Sequence, residues 1–274
     1  MNAVLKERNA KSSSRGAKRP VAGLLALLDA IAVNSPNLLT NRADRFQFAG
    51  NVLQLPRYTF IGPKGGEEPI RIGLFAGIHG DEFEGVFALL QFLRLLEAKS
   101  ELATGYCLFV YPLCNPTGFE ANTRHSRAAR DLNREFWLNS SQPEVRFLEA
   151  ELAANAFHGI ISLHTDDTSH GFYGFVRGAT LTKHLIEPAL AEAERFLPRN
   201  REALIDGFKA SNGVIRQGYR GVLSAPPDAR PHPFEITLET PRAAPQVLKE
   251  AAFLAALQSI LTNYRELIAY APNL

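Results

Sequence analysis

Four stretches of the chain are short, almost unbroken apolar runs that are rich in β-branched and aromatic residues. Such runs are typical of strands that are buried on both faces of a sheet. They predict strands over residues 70–78, 106–112, 159–164 and 234–240. Between them, apolar residues recur every three or four positions in longer segments. These segments predict helices over residues 82–98, 142–156, 180–197 and 244–264.

The alternation of strands and helices predicts an α/β fold. Continuous apolar strands need helices on both faces, so we expect a three-layer sandwich with a largely parallel central sheet. The 274 residues suit one domain of this class. We therefore expect a single domain over residues 21–274, preceded by a flexible basic tail over residues 1–20.

The charge of the chain is unevenly distributed. Six of its 30 basic residues but only one of its 28 acidic residues lie in the first twenty positions, so the remainder carries a net charge of −3. A Lys/Arg-rich end is typical of a solvated tail. No aromatic or RNA-binding motif accompanies it, so we expect no nucleic-acid partner.

Two features bear on the location of the protein. Cys107 and Cys114 lack CxxC spacing, which indicates two reduced thiols in a reducing compartment. The apolar segment 21–33 contains Asp29 and is too short to span a bilayer, so it predicts a helix packed on the body. Because no signal-peptide pattern is visible, we expect a cytoplasmic protein without a membrane partner.

Polar residues that can carry chemistry close the predicted strands. Ligand sites of open α/β sheets form beyond the carboxyl ends of the strands. The residues found there are His79 and Glu82 after the first strand, Asn115 after the second, His164 in the third and Glu239 in the fourth. The sequence therefore predicts a functional crevice at this edge of the sheet.

The first of these groups indicates a metal site. His79 and Glu82 are three positions apart at the entry to a helix, so both side chains can face one centre. Two histidines and a glutamate are a standard ligand set of catalytic zinc, and His164 is the best-placed third ligand because it ends a strand. For the pair alone, the alternative is a solvated helix N-terminus, where the helix dipole favours acidic residues.

An ordered set of motifs extends this hypothesis. The motifs are HGDE at 79–82, NPTGFEANTR at 115–124, DLNREF at 131–136, SLH at 162–164 and TLET at 237–240. The set resembles the zinc carboxypeptidase family and its relatives, the succinylglutamate desuccinylases and aspartoacylases. The resemblance implies a mixed, mostly parallel sheet of about eight strands between helices. It also implies one zinc ion bound by His79, Glu82 and His164.

The resemblance further implies two catalytic residues. Arg124 matches the arginine that polarises the scissile carbonyl and stabilises the oxyanion. Glu239 matches the general base that activates the zinc-bound water. Glu235 lies four positions before Glu239 and points to the same face of a strand, so it is the fallback for the base.

Substrate recognition is implied at two further positions. Asn133 and Arg134 match the pair that binds a substrate carboxylate, although asparagine also caps turns. Enzymes of this group often use a mobile tyrosine near the substrate terminus. Tyr219 and Tyr173 are both candidates for that tyrosine.

Two polar groups have no assigned role in the sequence. Arg127 and Arg130 either bind an acidic substrate or form a solvated loop face. Asp166 and Asp167 follow His164 and either orient its ring or support a second metal ion.

Three functions are compatible with these residues. The first is a zinc-dependent, carboxypeptidase-like hydrolase that cleaves an amide next to a free carboxylate in a small molecule, a short peptide or a peptidoglycan fragment. The second is an N-acyl amino acid deacylase of the succinylglutamate desuccinylase and aspartoacylase type. The third is a non-catalytic, zinc-stabilised binding protein, which would have no need of Glu239 or Arg124.

Overall fold

The computed structural model of the protein describes residues 19–41, 45–48, 51–66, 68–178 and 182–270. The basic tail predicted over residues 1–20 lies outside these ranges except for Arg19 and Pro20. The guanidinium of Arg19 lies 4.0 Å from the centre of the Phe83 ring. The single domain over residues 21–274 stays a prediction.

The described residues contain six α-helices. They are α1 (Val21–Val33), α2 (Glu84–Ala98), α3 (Pro116–Ala121), α4 (Pro143–Ala154), α5 (Thr182–Ala193) and α6 (Gln246–Tyr270). Proline occupies the first helical position of α3 and α4, where its missing N–H has no partner to lose. The predicted helix over residues 21–33 and the four other predicted helices are all present.

The strands outnumber those read from the apolar runs. They are β1 (Leu38–Asn41), β2 (Arg45–Phe48), β3 (Asn51–Gln54), β4 (Arg57–Ile61), β5 (Ile70–Ala76), β6 (Tyr106–Tyr111), β7 (Gly159–Asp166), β8 (Tyr173–Gly178), β9 (Leu204–Ile205), β10 (Phe208–Ser211), β11 (Val214–Ile215) and β12 (Phe234–Pro241). The four predicted strands are β5, β6, β7 and β12. The others were missed because they are short or alternate with polar residues.

The central sheet has ten strands in the order β1-β4-β6-β5-β7-β12-β8-β11-β10-β9. The pairs β6–β5, β5–β7 and β7–β12 at its centre are parallel. Antiparallel pairs flank them on both sides. The α/β sandwich with a mixed sheet is therefore confirmed, but the expected number of about eight strands is wrong. The short strands β9, β10 and β11 lengthen one edge.

Side chains of the central strands alternate between two apolar layers. On β5, Leu74 packs in the layer that contains α1, α2, α5 and α6, whereas Phe75 packs in the layer that contains α4. The α4 layer does not cover the whole sheet. Beside it, β7 and β12 carry polar side chains on the same face, and these form the floor of a cleft.

Two further observations concern location. Both cysteines are free thiols, and Cys114 is buried, which raises the pKa of its thiol to about 12. Among the described helices, none combines the length and the apolar character that crossing a membrane would require. The cytoplasmic location stays a prediction.

Candidate metal centre and substrate cleft

The turn between β5 and α2 brings the first two predicted ligands together. The chain leaves β5 through Gly77, whose φ of +64° belongs to the left-handed region that glycine tolerates. Gly80 then allows α3 to approach the turn closely, because a Cβ at Gly80 would lie 1.9 Å from the carbonyl carbon of Gly118. The turn is therefore fixed by backbone packing against α3.

The third predicted ligand joins them from β7. The Nδ1 atom of His79 lies 2.7 Å from one carboxylate oxygen of Glu82, and the Nδ1 atom of His164 lies 3.0 Å from the other. The ligand atoms of the three residues all lie within 4.8 Å of one another, and all three side chains are buried. The structure thus brings the predicted group together with its donor atoms converging, as a metal ion requires.

Two neighbouring residues orient this group. The carboxylate of Asp131 lies 3.2 Å from Nε2 of His79, on the side of the ring away from Glu82. The backbone N–H of Thr165 donates to Glu82 at 3.1 Å. Contacts of this kind fix the orientation of metal ligands in metalloenzymes. Neither residue was predicted from the sequence, although Asp131 opens the DLNREF motif.

The three residues shift one another's pKa values because they are buried and close together. Burial opposes ionisation of Glu82, but the two imidazoles outweigh it and hold the pKa of Glu82 well below its ordinary value. Burial lowers the pKa of His164. At His79 burial acts in the same direction, but the carboxylates of Glu82 and Asp131 outweigh it and raise the pKa of His79.

Arg124 lies at the edge of the group formed by His79, Glu82 and His164, which we call the metal-ligand group. Its Nε and Nη2 atoms each donate to one oxygen of Asp131 at 3.1 Å, and its Nη1 atom lies 3.5 Å from Glu82. Two N–H groups of the guanidinium thus converge on the same oxygen of Asp131, which holds one side of Arg124 in place. Arg124 also lines the cleft.

The predicted carboxylate-binding pair lies in the same cleft. The side-chain oxygen of Asn133 accepts a hydrogen bond from the N–H of Leu223 at 2.8 Å, which leaves its NH₂ group as the donor for a ligand. The guanidinium of Arg134 lies 3.9 Å from the centre of the Tyr219 ring. Tyr219 is 36% exposed and its hydroxyl donates to Asp206 at 3.0 Å.

The two tyrosine candidates have different environments. Tyr173 is 1% exposed, and its hydroxyl donates to Asp166 at 2.8 Å, so its ring is fixed in the core. Tyr219 lies at the surface, on a segment rich in glycine, against Arg134. Tyr219 is therefore the better candidate for a tyrosine that moves toward a substrate.

The two candidate bases lie at different depths of the cleft. Glu239 pairs in register with His164 on β7, so it lies beside the metal-ligand group. Burial raises the pKa of Glu239, and the negative charge of Glu82 raises it further. Glu235 lies four residues deeper, opposite Ile160, and accepts a hydrogen bond from the N–H of Ala225 at 2.8 Å. The position of Glu239 therefore fits the base better.

The unassigned arginines lie outside the cleft. Arg127 forms an ion pair with Glu120 at 3.5 Å, and Arg130 donates to Glu135 at 2.6 Å. Neither arginine is among the residues that line the cleft. Of the two alternatives for this pair, the structure favours a solvated loop face.

The aspartates after His164 do not form a second metal group. One oxygen of Asp166 accepts from Thr168, and the other accepts from Tyr173. In the described part of the chain, His79, Glu82 and His164 are the only group with metal-ligand spacing.

A buried ion pair lies behind the metal-ligand group. The ammonium of Lys249 on α6 donates to Glu84 on α2, and both side chains are at most 5% exposed. The hydroxyl of Thr165 donates to the other oxygen of Glu84 at 3.2 Å. Because the N–H of Thr165 also binds Glu82, this network ties α6 to a metal ligand. No pattern in the sequence predicted it.

The fold and the site together define a class of protein. A mixed α/β sheet carries a candidate His-Glu-His metal site, which is formed by the turn after β5 and by β7. Residues 70–202 match the family model of the succinylglutamate desuccinylase/aspartoacylase catalytic domain. This segment, just under half of the chain, is therefore similar to that family of hydrolases, and the resemblance indicated by the motifs is confirmed. Glu239 lies beyond the matched segment.

Solved structures share the fold at low sequence identity. A proposed metallopeptidase from Shewanella denitrificans is 23% identical with a TM-score of 0.73, covering 89% of this chain and 90% of its own. A metallo-carboxypeptidase from Burkholderia cenocepacia is 16% identical with a TM-score of 0.69, covering 91% of this chain and 70% of its own. No curated protein sequence matches the chain.

A third solved structure contains a bound ligand. It is a metallo-carboxypeptidase from Pseudomonas aeruginosa in complex with (2-guanidinoethylmercapto)succinic acid. It is 18% identical with a TM-score of 0.64, covering 89% of this chain and 68% of its own. At these identities the three structures establish the fold alone.

Proposed function

We propose that the protein is a zinc-dependent hydrolase that cleaves an amide bond next to a free carboxylate. The observation that carries the proposal is the presence of the His79, Glu82 and His164 group in one cleft with Glu239 and Arg134. His79, Glu82 and His164 by themselves would be enough to bind a structural metal ion. A carboxylate without a hydrogen-bond donor among the described residues and a partly exposed arginine in the same cleft have no such structural use.

The proposed metal is one zinc ion. Two imidazole nitrogens and one carboxylate are a standard set for catalytic zinc, and the contact of Asp131 with His79 is the usual support of such a ligand. Bound there, zinc would act as a Lewis acid that lowers the pKa of water and polarises a carbonyl.

Glu239 and Arg124 are the proposed catalytic residues. Glu239 takes a proton from the attacking water and delivers it to the leaving amine. Its raised pKa brings it closer to the range in which a carboxyl group can both accept and release a proton. Arg124, held by Asp131 on one side, donates from the other side to the oxygen on which negative charge develops.

Asn133 and Arg134 are the proposed anchor for the substrate carboxylate. The NH₂ group of Asn133 and the guanidinium of Arg134 supply donors in the same cleft. A guanidinium binds a carboxylate through two parallel hydrogen bonds. Tyr219, which lies on Arg134, is the proposed tyrosine that moves toward the bound substrate.

A second candidate is an N-acyl amino acid deacylase, which the family match over residues 70–202 favours. Both candidates cleave the same bond, because the amide nitrogen in each belongs to an amino acid with a free carboxylate. They differ in the acyl group, which is a peptide in one case and a small acid in the other. The third alternative, a non-catalytic zinc-binding protein, predicts no hydrolysis of either.

A hydrolysis screen tests the proposal. Zinc-loaded protein is incubated with N-acyl amino acids and with short peptides, with and without a chelator, and the released amine is measured. We expect one zinc per chain and chelator-sensitive release of the amino acid. Glu192→Gln, which changes an exposed glutamate on α5, is the control variant and should behave like the wild type. Absence of zinc after loading rejects the metal site, and zinc without hydrolysis supports the non-catalytic alternative.

A further inference from the structure

The ion pair of Glu84 and Lys249 is buried between α2 and α6. Glu84 is 4% exposed and Lys249 is 3% exposed. Each is the only charged residue among the buried residues of its helix. Replacing a buried ion pair by apolar residues of similar volume is often neutral for stability, or even favourable. Stability alone therefore gives no reason for a charged pair at this position.

The pair is connected to two strands that form the floor of the cleft. The second oxygen of Glu84 accepts a hydrogen bond from the hydroxyl of Thr165 on β7 at 3.2 Å. The ammonium of Lys249 also donates to the carbonyl of Arg242, directly after β12, at 3.1 Å. The pair thus joins α2 and α6 to the ends of β7 and β12. Neither Glu84 nor Lys249 is among the residues that line the cleft, so neither would contact a substrate.

Thr165 links the pair to the metal-ligand group. It is 4% exposed and follows His164 directly. Its N–H donates at 3.1 Å to the oxygen of Glu82 that also lies 3.0 Å from Nδ1 of His164. Its hydroxyl has a single proton, and a carboxylate that is paired with an ammonium can only accept, so this proton is used in the bond to Glu84. Thr165 therefore binds Glu82 through its main chain and Glu84 through its side chain.

The start of α2 also lies directly against β7. Glu82 belongs to the ligand turn, and Glu84 begins α2 two residues later. The next residue, Gly85, permits the close approach, because a Cβ at this position would lie 2.8 Å from the Cβ of Leu163. Close backbone packing and the two hydrogen bonds to Thr165 together oppose sliding of this segment along β7. Such sliding would change the distance between the ligand on the turn and the ligand on β7.

We infer that Glu84 and Lys249 are positioning residues for the metal ion and act through Thr165 on the distance between Glu82 and His164. The ammonium holds Glu84 in place, the carboxylate of Glu84 fixes the hydroxyl of Thr165, and the N–H of Thr165 holds the carboxylate of Glu82 toward His164. The inference rests on the proposed function for the presence of a metal ion. It adds two residues outside the cleft on which the affinity for that ion depends.

The test removes both charges together, in the double variant Glu84→Met/Lys249→Met. Methionine is unbranched and of similar size to either residue, and no buried charge is left unpaired. We expect the metal-free double variant to unfold at a urea concentration close to that of the wild type. We expect it to bind zinc about 10- to 100-fold more weakly, the usual effect of removing a residue that supports a metal ligand. Competition with a chromophoric chelator, without any substrate, measures the zinc affinity.

Two variants of Thr165 test the connection itself and decide the question even if the double variant fails to fold. Valine has the shape of threonine without the hydroxyl, so Thr165→Val should weaken zinc binding by a similar factor. Thr165→Ser keeps the hydroxyl and should weaken it much less. Both variants retain the backbone N–H that donates to Glu82, so a difference between them reports on the bond to Glu84.

The matched control is Arg57→Met/Glu151→Met, which removes a partly buried ion pair between β4 and α4, outside the cleft. It should leave the zinc affinity unchanged. Wild-type zinc affinity in the folded double variant or in Thr165→Val overturns the inference, and so does an equal loss in Thr165→Ser or in the control. If the variants lose zinc affinity but the zinc-loaded wild type hydrolyses no substrate, the inference holds and the proposed function is rejected. If the wild type hydrolyses and the variants keep their zinc affinity, the reverse is true.

Discussion

The two ends of β12 carry the same residue type on the same face, but the surroundings differ. At the metal end, Glu239 lies beside His164 and close enough to Glu82 for its negative charge to raise the pKa of Glu239. At the deep end, Glu235 accepts a hydrogen bond from the N–H of Ala225 and pairs in register with Arg177 on β8. Both have raised pKa values, but only Glu239 is near the group that could hold a metal.

This comparison shows that a perturbed pKa does not identify a catalytic residue by itself. Burial raises the pKa of both glutamates, because the cleft disfavours a carboxylate at either position. Distance from the metal-ligand group separates their roles. Register along a strand is therefore the more informative measurement here.

The largest effect is expected from replacing Glu239, the carboxylate at the metal end of β12, with a neutral residue. Glu239→Gln should lower kcat by about 10²–10⁴-fold, the usual contribution of a general base, while zinc content stays at one per chain. Steady-state kinetics and metal analysis measure the two quantities. If Glu239→Gln retains full activity, another residue is the base. The proposed difference in role between Glu239 and Glu235 would then be wrong.

The next effect is expected at Arg124, which shares the metal end. Arg124→Met should lower kcat by about 10²–10³-fold, because one donor to the developing oxyanion is lost. Arg127→Met is a matched control in the same loop, since Arg127 pairs with Glu120 outside the cleft. Similar losses in both variants would point to a disturbed loop rather than to catalysis.

Between the two ends, Arg134 is expected to act on binding more than on turnover. Arg134→Lys should lower kcat/KM by about 10- to 100-fold for substrates with a free carboxylate, since lysine cannot form the bidentate pair. Amidated substrates should change little. Arg130→Lys, in which the altered residue pairs with Glu135, serves as control. An equal response of both substrate types would contradict the role of Arg134.

The smallest effect is expected on stability at the deep end. The pKa of Glu235 is raised in the folded protein, so the folded state binds a proton more tightly than the unfolded state. The stability of the wild type relative to Glu235→Gln should therefore fall as the pH rises above the ordinary glutamate pKa of about 4.3 and through the higher pKa of the folded state. Urea unfolding at pH 4 and pH 8 measures this difference. A Gln variant that is less stable at pH 8 would show that the carboxylate is satisfied.

Most of the site at the metal end of β12 could be predicted from the sequence. His79, Glu82 and His164 lie where continuous apolar runs end, and the carboxyl ends of neighbouring parallel strands meet at one edge of a sheet. The structure brings these three together as expected. The residues that support these three could not be predicted from the sequence. Lys249 and Glu84, for example, lie on two helices 165 positions apart, so their contact leaves no local pattern.

The surroundings of Glu235 at the deep end could not be predicted from the sequence in the same way. Its walls include β8 and the segment around β9, β10 and β11, and the last three strands are two to four residues long. Strands of that length show no periodicity that separates them from loops. Glu235 was recognised only as a substitute for Glu239, because register alone, and not spacing, places it opposite Ile160.

The close approach of Gly80 to Gly118 has a consequence for protein engineering. The ligand turn keeps its shape because the α3 backbone lies against it, with no room for even a methyl group between them. Transplanting only the HGDE segment into a new scaffold would leave that turn unsupported. A designer would have to import the 115–124 segment as well, which makes the pair of segments, rather than either motif, the smallest portable unit of this centre.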